Sequence, residues 1–141
     1  MKTLLKILLP LLLGLLFLFF PLLRDLHFES AFITSIIGCF YATIVLAKKN
    51  TQPFKKTVCL TGFIYVIAIP LFINALFSGC LTFDGFAFWI LLPAPSIFFG
   101  ASIGRLVRKM NFPAPVFFSI AILIFCSLVI WIIEFFTLPQ V

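Results

Sequence analysis

The segment 85-GFAFWILLPAPSIFFGASIGRLVRK-109 decides the fold. Its first twenty residues, Gly85 to Gly104, carry no charge. As a helix, about 20 such residues cross a hydrocarbon layer about 30 Å thick. Pro93 and Pro95 sit near the middle, where a missing N–H and a ring clash kink a helix. Ser96, Gly100 and Gly104 recur every four residues and so share one helix face. Small residues at that spacing let a second backbone approach closely, although the pattern is common. Asp84 precedes the stretch, and Arg105, Arg108 and Lys109 close it.

The rest of the chain has the same character. Of its 141 residues 64% are hydrophobic and only 10% charged. A water-soluble domain carries about a quarter charged residues, so this chain lacks the polar surface to coat a globule. Phenylalanine occurs 21 times, and it faces lipid without needing a hydrogen-bond partner. The sequence therefore predicts an all-α integral membrane protein with a single domain. Five spans are expected, at about 4–23, 28–47, 57–77, 85–107 and 115–135. The fourth should be kinked at Pro93/Pro95.

The first span resembles a secretion signal in its basic start, Lys2 and Lys6, and its apolar core. No small-residue cleavage site follows it, so it reads as retained, with Lys6 reaching back to the interface. The second span carries two small-residue rows: Ser30, Thr34, Gly38, Ala42 and Ala31, Ser35, Cys39, Thr43. These make Ser35 and Gly38 helix-packing candidates beside Ser96, Gly100 and Gly104. Lys48, Lys49, Lys55 and Lys56 bracket a polar stretch in which Pro53 predicts a loop. Pro70 should kink the third span, and Asn74 near its end should bond to a neighbouring helix. Asn111 to Pro115 forms the last turn, with Pro115 suited to a first helical position.

Five spans place nine basic residues on the side of the N-terminus and Arg24 alone on the other. All four acids, Asp25, Glu29, Asp84 and Glu134, fall on that other side. Basic residues stay in the cytoplasm, so the N-terminus is expected inside and the C-terminus outside. Trp89 and Trp131 fall near the outer span ends, where an interfacial aromatic belt is expected. Short length and the absence of an N-glycosylation signal favour a bacterial inner membrane.

The net charge of +6 sits at span ends and makes no aromatic-interleaved face for a phosphate backbone, so nucleic acid is not an expected partner. Lys48, Lys49, Lys55, Lys56, Arg105, Arg108 and Lys109 could instead hold anionic lipid headgroups. On the outer face Asp25, His27 and Asp84 are weak catalytic candidates, with Glu29, Cys80 and Glu134 nearby. A carboxylate pair sharing a proton would suit a membrane aspartyl peptidase, but the Asn and Gly motifs of lipoprotein signal peptidases are absent. Four cysteines without a C-x-x-C give neither a zinc pattern nor a disulfide framework. One histidine cannot supply both axial ligands of a haem. No phosphate loop, zinc-protease or nucleophile-elbow motif occurs, and neither cofactor nor metal is expected.

The leading expectation is a non-enzymatic scaffold or accessory subunit of a membrane complex. Its partners would be membrane lipids and either a larger complex or further copies of the chain. The first alternative is a small transporter or lipid-handling protein with its site at the kinked fourth helix. The second is an outer-face enzyme using Asp25, His27 and Asp84.

Overall fold

A computed structural model describes residues 2–48, 52–79 and 83–137, with the side chains of 2–7, 131 and 134–136 left aside. Among these residues the chain is all helix and turn. Its segments are α1 (Lys2–Phe17), α2 (Phe28–Ala47), α3 (Pro53–Tyr65), α4 (Ala68–Ser78), α5 (Phe83–Leu91), α6 (Pro93–Lys109) and α7 (Pro115–Thr137). Short interruptions separate α3 from α4 and α5 from α6, so the seven segments form five rods. Three rods, Phe28–Ala47, Pro53–Ser78 and Phe83–Lys109, are long and apolar enough to cross a membrane. The described apolar parts of the other two, Leu8–Phe17 and Pro115–Ile130, are shorter.

The hub is α2. Half of its apolar window is buried, against 28% and 33% for the α3–α4 and α5–α6 rods. Ser30, Ala31, Thr34, Ser35, Gly38, Ala42 and Thr43 all lie in its buried surface. The α5–α6 rod runs parallel to α2 in constant register. Trp89 meets Ser30 at one end, Gly100 meets Thr43 midway, and Arg108 meets Lys48 at the other. The α3–α4 rod runs antiparallel to that pair, and α1 packs on it through Gly14. The first part of α7 covers α2 and α6 around Leu123, Ile103 and Val107.

Several boundaries depart from the sequence reading. The first helix stops at Phe17 rather than Leu23, and residues 18–27 turn. Bonds such as Leu18 N–H to Leu15 O and Phe20 N–H to Phe17 O tighten that exit. Pro53 does not make a loop of its surroundings. It opens α3 as a first helical residue, whose missing N–H costs nothing there. The third rod breaks at Val66–Ile67, one turn before Pro70, because the proline ring crowds the carbonyl four residues back. The Val66 carbonyl accepts from Ile69 N–H instead, at 3.2 Å. The fourth rod lapses at Leu92, just before Pro93, since Pro93 and Pro95 have no N–H to donate to the preceding turn. Leu92 itself keeps helical angles, φ −83° and ψ −49°, so the rod continues with a defect rather than a turn. Gly79, at φ 67°, closes α4 in the left-handed conformation that glycine adopts without penalty.

Candidate functional site

Three places in the bundle bring functional groups together: the α2–α6 seam, the end carrying Asp25, and the end carrying the lysines.

At the seam the two backbones almost touch. A Cβ added to Gly100 would lie 2.2 Å from the Cys39 carbonyl oxygen and 2.8 Å from Thr43 Oγ1. One added to Gly104 would lie 2.5 Å from the Thr43 oxygen. The Thr43 hydroxyl sits 2.8 Å from Cys39 O and 2.9 Å from Gly100 O, sharing its single proton between the helices. Gly38 faces Ile97, and Ser35 is buried with its hydroxyl donating to Ala31 O at 2.7 Å. Ser96 is half-buried and donates to Leu92 O. Most other hydroxyls in the rods likewise return to the carbonyl four residues back, which satisfies them without a neighbour.

At the other end of α2, Ser30 is a junction. Its hydroxyl accepts from His27 N–H at 3.3 Å and from the Trp89 indole N–H at 3.1 Å. It lies 2.9 Å from both the Asp25 and the His27 carbonyl oxygens, to which it can donate one proton. The turn before α2, the start of α2 and α5 are thus held by one oxygen. Trp89 is 2% exposed, so it belongs to the core and not to an interfacial belt. The buried hydroxyl drew the indole inward, a pairing that leaves no local sequence signal. Ser30→Ala strands a buried indole N–H and removes the cap, so a loss of about 2 kcal/mol is expected. Thermal unfolding in mild detergent checks it.

The catalytic candidates do not converge. Asp25 pairs with Arg24 at 3.9 Å and accepts from Asn74 Nδ2 at 3.4 Å. Asn74 also donates to the Arg24 carbonyl at 3.1 Å, so it clamps the turn before α2 rather than another helix. His27 precedes α2, and its backbone is what Ser30 engages. Asp84 stands in the first turn of α5, where a carboxylate favours the positive helix end. Among the described residues no bond joins Asp84 to Asp25 or His27, and no group of three His, Cys, Asp or Glu side chains is placed to hold a metal ion. Cys80 and the side chains of Trp131 and Glu134 lie outside the described residues.

The basic candidates divide. Arg105 turns inward, with Nη2 on Thr57 Oγ1 at 3.3 Å and its Nε buried without a hydrogen-bond partner. Arg108 caps α2 through the Lys48 carbonyl at 3.4 Å. Lys48, Lys55, Lys56 and Lys109 are exposed, and Lys49 lies outside the described residues.

Tyr65 is the residue sequence reasoning passed over. Its hydroxyl donates to Ile90 O at 2.8 Å. In an unbroken helix that carbonyl would accept the Ala94 N–H, so the phenol supplies its donor at the lapse before Pro93. A tyrosine in one span facing a doubly proline-broken span is the signal that would have found it. Tyr65→Phe removes that donor, and about 1 kcal/mol should be lost. A lower unfolding temperature in mild detergent checks it.

Beside this bridge is an apolar crevice of about 290 Å³ between α4 and α5, walled by Phe72, Ile73, Phe86, Trp89 and Ile90. A second, of about 450 Å³, lies among α1, α2 and α3. No family model, curated protein or solved structure matches this chain.

Proposed function

We propose that the chain is a five-span membrane protein with its N-terminus and lysine-rich turns in the cytoplasm, acting as a non-enzymatic accessory subunit. The observation that carries this reading is the state of α7. Past Cys126 every described side chain up to Ile133 is exposed, and all but Ser127 are apolar. The small-residue seams are spent inside the bundle, and that bare half-helix is a surface offered to a partner helix. In lipid such contacts rest on packing rather than on hydrophobic drive.

Affinity purification from the native membrane in mild detergent tests the reading. A helical membrane protein should co-purify with the parent. It should be lost when Phe125, Leu128 and Ile132 are changed together to alanine, a change that touches only exposed side chains. A parent that purifies alone, at normal abundance, overturns it.

One observation favours a second reading, lipid handling. The crevice by Ile90 borders the proline-broken rod and is lined by apolar side chains. Such a lining suits an acyl chain and not a polar solute.

A further inference from the structure

The exposed lysines are not equivalent, because one of them ends a groove. On α3, Lys56, Cys59, Leu60 and Phe63 follow the i, i+3, i+4, i+7 spacing that places them along one face. All four line the larger crevice. Leu9 of α1 closes one side, and Tyr41 and Val45 of α2 close the other. The Tyr41 ring stacks on Phe63, centroids 6.1 Å apart, to form the end away from Lys56. From Lys56 to Phe63 the face runs about 10 Å along the helix axis. Its volume of about 450 Å³ is within the range of about 300–1,000 Å³ typical of small-ligand sites. The groove is therefore two-ended, with an ammonium at its mouth and hydrocarbon and aromatic walls beyond.

Charge at the mouth has one sign. Lys55 and Lys48 are exposed at the same end of the bundle, and the first turn of α3 adds the positive end of its dipole. Asp25 and Glu29 stand at the opposite end of α2, and Asp84 at the opposite end of the α5–α6 rod. A ligand that fits must carry an anion joined to an apolar chain, with the anion at headgroup depth.

We propose that this groove binds an anionic diacyl glycerophospholipid, with one acyl chain along Leu60 and Phe63 and the phosphate at Lys56. The inference rests on the membrane reading above but not on the accessory role.

The test uses the full chain in phosphatidylcholine nanodiscs. Each preparation carries a small fraction of a lipid with a photoactivatable acyl chain, either phosphatidylglycerol or phosphatidylcholine. Cross-linked peptides are mapped by mass spectrometry. Phosphatidylglycerol should label the Cys59–Phe63 segment and Val45 roughly fivefold more than phosphatidylcholine, the gain from one basic contact at an anionic surface. Lys56→Gln should abolish that preference, and Lys56→Arg should keep it. Cys59→Trp, which fills the groove, should reduce labelling there by both lipids. Excess inorganic phosphate should leave the preference unchanged. Equal labelling by the two lipids, or a preference that survives Lys56→Gln, overturns the proposal. So does loss of the preference on adding phosphate, which would mark a free-anion site. Labelling as strong on the exposed half of α7 would show lipid contact without a site and overturns it too. A chain that fails to enter the nanodisc removes the membrane reading as well, which separates the two failures.

Discussion

Gly100→Leu is expected to drive α2 and α6 apart and to cost about 3 kcal/mol or more, the upper end for overpacked sites. The first added carbon already falls 2.2 Å from the Cys39 carbonyl oxygen, and backbone cannot step aside as a side chain can. The Thr43 hydroxyl, which bridges to the Gly100 carbonyl, loses that bond when the helices separate. Unfolding with rising denaturing detergent should occur far earlier than in the parent. Gly62→Leu supplies the control, because a Cβ at Gly62 meets nothing within 4 Å. There the exchange should be neutral or stabilising by up to about 1 kcal/mol, through helix propensity alone. Equal unfolding of the Gly100 variant and the parent would remove the seam as the main contact of the bundle.

The second large effect is expected from Gly14→Leu, which should release α1 from the α3–α4 rod. Gly14 lies against the break before Pro70: its added Cβ would stand 2.5 Å from the Ile67 carbonyl oxygen and 3.1 Å from the proline ring. Moving α1 outward also uncovers Phe17, now only 5% exposed. Leu9 and Cys59 line one crevice, so a thiol placed at Leu9 gives a direct readout. In a Leu9→Cys background a short bismaleimide should join positions 9 and 59, and Gly14→Leu should suppress that product several-fold. Undiminished coupling would show that α1 does not depend on the glycine.

Helix was legible because the apolar runs are long, and prolines and lysines mark their ends. The boundaries were less so. Phe19, Phe20, Leu22 and Leu23 continue the apolar run, yet α1 ends at Phe17, since hydropathy does not report which carbonyls close a turn. Pro53 reads as a breaker and acts as a starter, a distinction set by whether helix lies before it or only after. Trp89 was placed at the interface by its position along the span. Only the tertiary meeting with Ser30 shows why the indole turns inward. Of the candidate site residues, Asp25 and His27 lie in the turn before α2 and Asp84 in the first turn of α5. Their one-dimensional neighbourhood could not say whether they meet. Arg105 belongs to a basic run, but its partner Thr57 is far away in sequence and on another rod. The groove at Lys56 needs three helices to exist, so no single stretch announces it.

The Tyr65 bridge bears on how the polypeptide assembles. A peptide spanning Phe83–Lys109 on its own has no phenol to satisfy the Ile90 carbonyl at the junction. The donor comes from a segment that leaves the ribosome earlier, so the later rod finds the partner for that carbonyl already made.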